Sequence, residues 1–169
     1  NTESRHTHED FDVVYTFDES GFRRTPAPPH PRGEVLILGC SFAFGIGVAD
    51  DETFASQLAR RHWTDLRVVN RAFSMWSTTD AYLELHDYLV EHRPLAVFYG
   101  YSDIHIARNY LRKSWHEKKS PGAKIPKFAV REGHAVFLGM VDAREATKLI
   151  NGYEASGAIT KASAVSPST

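Results

Sequence analysis

The sequence has little of what several protein classes require. Its 169 residues include a single cysteine, Cys40, so no disulfide can form within the chain. No apolar run approaches the roughly 20 residues that a membrane-spanning helix needs. The formal net charge is -1, which provides no strong field toward nucleic acid or an anionic membrane. The length suits one globular domain that is able to bury a core.

Patterns for metal and nucleotide binding are also missing. The nine histidines are scattered, and no Cys/His spacing is typical of a zinc site. The chain has neither a P-loop nor G-x-G-x-x-G, and Gly45-Ile46-Gly47 is too short to replace them. We therefore expect no metal site and no nucleic-acid partner. A nucleotide-binding flavodoxin-like protein is disfavoured, because no phosphate cradle is evident.

The most informative stretch runs from Gly33 to Val48 and reads GEVLILGCSFAFGIGV. The apolar run at 34–38 predicts a strand buried on both faces, as in a parallel sheet. Ser41 follows on a small-residue turn, at the strand end where open α/β sheets bind ligands. From the residues alone, Ser41 is either a nucleophile or a turn and capping residue. Cys40 is either a second nucleophile or a small buried residue.

The rest of the chain alternates between strand and helix signals. Further strands are predicted at 66–70 and 95–100. A helix is predicted over 51–62, capped by Asp50 or Asp51 and buried through Phe54, Leu58 and Ala59. A second helix, capped by Thr78 or Thr79, is predicted to run from there through Leu89. This alternation predicts a mostly parallel sheet with right-handed crossovers.

The two ends of the chain are less regular. Residues 1–10 are predicted to be an arm, 11–17 an edge strand and 25–32 a proline-rich connector. Beyond the third strand, 106–116 and 142–150 are helix candidates, and 127–138 is a predicted hairpin whose turn includes His134. We expect an arm and connector at 1–32, an α/β domain at 33–150, and a tail or the start of a missing segment at 151–169.

Three separate stretches resemble the sequence blocks of the SGNH, or GDSL-type, hydrolases. GCSFAFGIGVADDETFASQLA is similar to the first block, G-D-S-F-T-F-G-x-G-V in the bacterial branch, with Ser41 on the nucleophile and Cys40 in place of Asp. VVNRAFSMWSTTDAYLEL resembles the second block, V-x-N-x-G, with Ala72 in place of Gly. GYSD resembles the third block, G-x-N-D, with Ser102 in place of Asn and Asp103 matching.

The resemblance implies a flavodoxin-like three-layer α/β/α fold. In one interpretation this chain lacks the C-terminal strand and helix of that family. It implies an esterase or acyl hydrolase that forms an acyl-enzyme at Ser41, without a cofactor. By the same resemblance the oxyanion hole is formed by Ser41, Ala72 and Ser102, and Asn70 is either a substitute donor or a brace for the loop. Arg23, in the Gly-Phe-Arg lead-in before the first block, is expected to be structural.

The general base of the family is not found in the sequence. The family carries D-x-x-H near its C-terminus, and this pattern occurs nowhere in the chain. Either the dyad lies in a longer protein, or the site is degenerate or rebuilt with His105 or His134 as base. His105 follows the third strand beside Asp103, and His134 lies in the predicted hairpin turn. Each histidine therefore also has an ordinary structural interpretation.

Two functions are therefore carried forward. The first is hydrolysis or transfer of an O-acyl ester on a carbohydrate or lipid-like substrate. The alternative is a catalytically silent module of the same type that binds a glycan or protein partner. Trp76, Phe73, Met75 and Tyr101 either line a substrate pocket or belong to the core. The compartment stays open, whether bacterial cytoplasm or, after removal of a leader or anchor, outside it.

Overall fold

The computed structural model describes residues 2–109, 124–132 and 134–142. The chain divides into two compact units, Asn1–Asn109 and Tyr110–Thr169. The predicted boundaries at 32/33 and 150/151 stay predictions. The first unit contains β1 (Thr2–His8), β2 (Phe11–Phe17), β3 (Gly33–Gly39), α1 (Ser41–Phe44), a 3-10 turn (Asp50–Glu52), α2 (Phe54–Arg61), β4 (Leu66–Asn70), α3 (Thr78–Glu91), β5 (Ala96–Gly100) and α4 (Ile104–Asn109). The described part of the second unit consists of β6 (Lys124–Arg131) and β7 (His134–Asp142).

A three-stranded parallel sheet lies at the centre of the first unit. Its order is β4-β3-β5, so the first strand of the sheet lies between the two that follow it in sequence. Ile37 pairs with Asn70 on one side, and Gly39 pairs with Gly100 on the other. The predicted α/β architecture with parallel strands is confirmed at this level, and the flavodoxin-like SGNH assignment stays a prediction.

Strand β3 is buried on both faces, as its apolar run predicts. Successive side chains of a strand point to opposite faces, and here they contribute to two separate cores. Ile37 belongs to one core together with residues of α1 and α2, including Phe44 and Ala55. Leu36 belongs to the other core, in which Tyr88 of α3 also packs. The central strand is thus held by apolar burial on both sides.

Helix α2 begins later than the sequence pattern suggests. The predicted Asp50 and Asp51 caps are wrong, since both lie in the 3-10 turn. Thr53 caps the helix instead, and its Oγ1 accepts a hydrogen bond from Ser56 N at 3.1 Å. Because the start shifts to Phe54, this side chain is 54% exposed and small residues such as Ala55 face the core. Small side chains allow a helix to lie close against the sheet.

Helix α3 also starts one step away from the prediction. Ser77, rather than Thr78 or Thr79, is the capping residue, and its side chain accepts a hydrogen bond from Asp80 N. The Asp80 carboxylate in turn accepts from Ser77 N at 2.8 Å. This reciprocal arrangement is a capping box, which satisfies two backbone donors at once and explains why Ser77 prevails over the threonines.

The N-terminal segment expected to be an arm is a strand. β1 pairs with β2 along its length, from Thr2 opposite Phe17 to His8 opposite Phe11. Arg5 and Asp12 form an exposed ion pair across the hairpin. The prediction was wrong because a polar sequence can still pair through its backbone, and β2 has ladder groups that require a partner. The predicted strand at Phe11–Phe17 is confirmed.

The second unit contains the predicted hairpin, with longer strands than expected. β6 and β7 pair from Lys124–Asp142 to Arg131–His134. His134 is therefore the first residue of β7 and not part of the turn. Glu132, in the turn, has φ 52°, a positive value of the kind that two-residue type I′ hairpin turns require. Asp142 lies in β7, whereas the rest of the 142–150 helix candidate, residues 110–116 of the other candidate and the 151–169 segment lie outside the described residues.

Membrane insertion through a helix finds no support in the described residues. Among the helices of 2–109, 124–132 and 134–142, none has the length and apolar character needed to cross a bilayer.

A buried arginine connects the N-terminal hairpin to the loop that follows Ser41. Arg23 is 2% exposed, and its Nε donates to Asp50 Oδ1 at 2.8 Å. Its other nitrogens donate to the backbone carbonyls of Phe44, Gly45 and Val48. The guanidinium carbon lies 4.0 Å from the centre of the Tyr15 ring. The expectation that Arg23 is structural is confirmed.

Replacement of this arginine is expected to destabilise the protein strongly. Arg23→Met removes the donor that Asp50 and three backbone carbonyls share, and a buried acceptor left without its donor typically costs about 1–3 kcal/mol. Urea unfolding followed by circular dichroism measures the loss. Arg24→Met is the matched control, because Arg24 is exposed and adjacent. Equal stability of the two variants would contradict the structural role of Arg23.

Candidate functional site

The three residues that the family resemblance assigns to the oxyanion hole follow the ends of the three parallel strands. Ser41, Ala72 and Ser102 each lie two residues beyond the last residue of β3, β4 and β5. The strands are parallel, β3 and β5 end with Gly39 opposite Gly100, and Asn70 at the end of β4 pairs with Ile37, two residues before the end of β3. The topology therefore brings these three positions to one edge of the sheet, which is the edge where open α/β sheets bind ligands.

Ser41 is the first residue of α1 and is partly exposed. The close turn before it depends on Gly39, whose φ is +152°. A Cβ there would meet Ala43 Cβ at 2.8 Å and Gly100 O at 3.1 Å. Ser41 Oγ lies 3.9 Å from the sulfur of Cys40. Cys40 is 1% exposed, which confirms its interpretation as a small buried residue.

Asn70 braces the loop that carries Ala72. The Asn70 amide nitrogen donates to Ala43 O at 2.9 Å, and its oxygen accepts from Ala72 N at 3.1 Å. Both residues are buried. Asn70 thus connects α1 to the end of β4, and the bracing interpretation is the one that the geometry favours. The Ala72 N–H, expected to be an oxyanion donor, already has a partner.

Ser102 and His105 form a small turn after β5. His105 Nδ1 accepts a hydrogen bond from Ser102 N at 2.8 Å, and Ser102 O accepts from His105 N at 2.8 Å. The Ser102 hydroxyl has no hydrogen-bond partner among the described residues. An Nδ1 that accepts from an amide is unprotonated, so neutral His105 carries its proton on Nε2.

His105 is poorly arranged to be the base. It is fully buried, and its Nε2 has no hydrogen-bond partner within the described parts of the chain. Its one lone pair is taken by Ser102 N, whereas a base needs a free lone pair directed at the nucleophile. Burial, and secondarily the charge of Arg108, lowers the pKa of His105 below its ordinary value of 6.5.

The remaining predicted residues are placed separately. Asp103 is exposed in the turn before α4. His134 begins β7 in the second unit, and its side chain lies outside the described residues. Across 2–109, no histidine or carboxylate is within hydrogen-bond distance of Ser41 Oγ. The described part of the site therefore brings Ser41 to the strand edge together with the candidate donors, but it brings no candidate base to Ser41.

A cavity that the sequence did not reveal lies beside Ser41. Its volume is about 420 Å³, and Ser41 forms part of its wall. The other lining residues are Phe42, Gly45, Ile46, Val48, Glu52 and Phe54. The sequence pattern placed Phe54 on the apolar side of α2. The one feature of the sequence that could have indicated this cavity is the presence of Phe42 before, and Phe54 after, the Gly45–Gly47 turn.

Two of the aromatic residues predicted as possible pocket walls, Phe73 and Trp76, contact each other. The third, Tyr101, is 56% exposed and contacts Tyr99 and His105 instead. Phe73 lies with its ring centre 5.9 Å from that of Phe44 and 5.8 Å from that of Trp76. Trp76 also contacts Phe22 at 5.9 Å. Phe73 is nevertheless 40% exposed and Trp76 is partly exposed, so the choice between pocket wall and core stays open for both residues.

One group of possible metal ligands occurs in the described residues. His8, Glu9 and Asp10 are close together in the exposed turn between β1 and β2. His8 Nδ1 lies 3.3 Å from Asp10 Oδ2, so the group is an ordinary charged turn. The expectation of a metal-free protein stays a prediction.

Comparison of the chain with protein-family models, with curated proteins and with solved structures gives no match. The SGNH resemblance therefore rests on the three blocks and stays a prediction.

The buried His105 makes stability depend on pH in a defined direction. Its pKa is lower in the folded chain, so the unfolded chain binds more protons near pH 6.5 and stability falls as the pH drops through that value. The loss is at most about 1.4 kcal/mol per pH unit for one group. His105→Gln is expected to reduce it.

Urea unfolding at about pH 7.5 and pH 5.5, for wild type and His105→Gln, measures this contribution. His86→Gln, at an exposed histidine, provides the matched control variant. A variant at position 105 that loses as much stability on acidification as wild type would refute a neutral, buried His105.

Proposed function

We propose that the protein is an SGNH-type acyl hydrolase or acyltransferase that uses Ser41 as its nucleophile. The observation that carries the proposal is the shared position of Ser41, Ala72 and Ser102, each two residues past the end of a parallel strand. Ser41 is partly exposed on a tight turn. A fold of this class hosts many activities, so the proposal depends on these residues and not on the sheet alone. A flavodoxin-like three-layer fold belongs to the same proposal.

In this mechanism Ser41 Oγ attacks the carbonyl carbon of an ester, and the alcohol leaves with a proton. Water, or another alcohol, then releases the acyl group. The developing oxyanion needs donors. The Ser41 N–H belongs to the first turn of α1, where helix amides have no partner within the helix. The Ser102 hydroxyl is also available, whereas Ala72 N–H would have to leave Asn70 Oδ1 or share its hydrogen with it.

The base is assigned to a group other than His105. The Nδ1 lone pair of His105 is occupied, and the protonated Nε2 cannot accept the hydroxyl proton of Ser41. His134 stays the candidate within this chain, and a D-x-x-H dyad in a longer protein is the alternative. We expect the ester to have a carbohydrate or lipid-like alcohol.

The rival function is a silent SGNH-like module that binds a glycan or protein partner. Two observations favour it. Ala72 N–H is engaged by Asn70 at 3.1 Å, and the described residues bring no base to Ser41. In such a module the strand edge would still bind ligand, but Ser41 would form no covalent intermediate.

Hydrolysis of p-nitrophenyl acetate by purified variants separates the two functions. Ser41→Ala is expected to reduce kcat to the uncatalysed level. Ser102→Ala is expected to lower kcat by about 10²–10³ and to leave KM nearly unchanged, because an oxyanion donor acts mainly in the transition state.

Ser4→Ala is the control, since Ser4 lies on β1 and its hydroxyl contacts only His6 in the described residues. Hydrolysis that survives Ser41→Ala would contradict the assignment of Ser41 as the nucleophile. An unaltered kcat in Ser102→Ala would remove Ser102 from the oxyanion hole while leaving Ser41 in place.

A further inference from the structure

The cavity beside Ser41 is mainly apolar and includes side chains that are unusually exposed. Phe42 is 77% exposed and Phe54 is 54% exposed, and Ile46 is 44% exposed. Single exposed apolar residues are common on protein surfaces, whereas adjacent ones often mark a binding site. These three line one cavity together with Ser41. Its volume of about 420 Å³ falls within the range of small-molecule sites.

The walls of the cavity are held by the same contacts that hold the Ser41 loop. Gly45 has φ +84°, and a Cβ there would meet Thr53 Cγ2 at 2.9 Å. Arg23 donates to the Gly45 and Val48 carbonyls. Tyr15 Oη accepts from Gly47 N at 2.8 Å. The loop between Phe42 and Phe54 is therefore fixed from behind, which preorganises the cavity for a ligand.

Glu52 places a negative charge on the wall of the cavity. Its Oε2 accepts a hydrogen bond from Ala49 N at 2.9 Å, which holds the carboxylate in place. Glu52 is the one charged residue among the seven that line the cavity. A fixed carboxylate beside an apolar wall favours an uncharged ligand and repels an anionic one.

We propose that this cavity binds the uncharged, apolar acyl chain of the ester that Ser41 attacks. This inference rests on the proposed function, because it uses the bond between Ser41 Oγ and the acyl carbon. That bond places the first carbons of the acyl group next to Ser41, and the adjoining cavity accepts the rest of the chain. The ester C–O bond then breaks, the alcohol leaves with a proton, and water releases the carboxylic acid.

The proposal makes Phe54 and Ile46 specificity-determining residues. Wild-type protein should hydrolyse p-nitrophenyl hexanoate with a kcat/KM about tenfold above that for the acetate. In a closed apolar pocket a single additional methylene contributes roughly this factor. Because this cavity is open, we expect the whole longer chain to contribute only about as much. Phe54→Ala should remove most of the preference, and Ile46→Trp should fill the cavity and reverse it. Val90→Ala, on the exposed side of α3, should keep it.

The carboxylate is tested with an anionic ester. Glu52→Gln should raise kcat/KM for the p-nitrophenyl hemisuccinate and leave the value for the hexanoate unchanged. Equal effects on both esters would contradict the charge selection that we assign to Glu52.

A binding measurement separates failure of this inference from failure of the proposed function. Calorimetry with hexanamide, which is uncharged and not cleaved, is carried out on Ser41→Ala and on Ser41→Ala/Phe54→Ala. Binding that needs Phe54, together with a wild-type protein that shows no esterase activity, would retain the cavity as an apolar ligand site and refute the acyl-enzyme. The opposite result is hydrolysis at Ser41 with no chain-length preference and no binding of hexanamide. It would overturn the assignment of the cavity to the acyl chain and would leave Ser41 as the nucleophile.

Discussion

The buried guanidinium of Arg23 is the interaction on which the candidate site depends. It reaches the carboxylate of Asp50 and the carbonyls of Gly45 and Val48, and it packs on the Tyr15 ring. Its fork of donors replaces the hydrogen bonds that a tight loop cannot make with itself. Without it, the backbone after Ser41 would have to expose those carbonyls to water and open the turn.

This clamp explains why the N-terminal hairpin matters to the loop that follows the central strand. Asp50 also accepts a hydrogen bond from Thr16 N at 3.0 Å, so the end of β2 and the start of the 3-10 turn share one carboxylate. Together with the Gly39 approach to Gly100, these contacts fix α1 between the sheet and the hairpin. Asn70 completes the arrangement from β4. The Ser41 turn is thus held from three directions, as a preorganised site requires.

The sequence predicted elements whose signal is local and missed those set by tertiary contacts. The β3 and β4 strands and the buried Cys40 follow from apolar runs and turn residues. The caps at Thr53 and Ser77 were missed, because several hydroxyl and carboxylate residues compete within each start and side-chain geometry decides between them. The exposed Phe42 and Phe54, and the occupied lone pair of His105, depend on how distant segments pack, which periodicity does not encode.

The central claim is that Ser41 is a nucleophile, and covalent labelling tests it most directly. The protein is treated with a fluorophosphonate probe, and the adduct is located by intact mass and peptide mapping, with Ser41→Ala as control. A single adduct on Ser41, absent from the alanine variant, is the predicted result. A folded protein that takes up no probe, both as this 169-residue chain and as the encoded full-length protein, or that takes it up on another residue, would contradict the claim and favour the silent binding module.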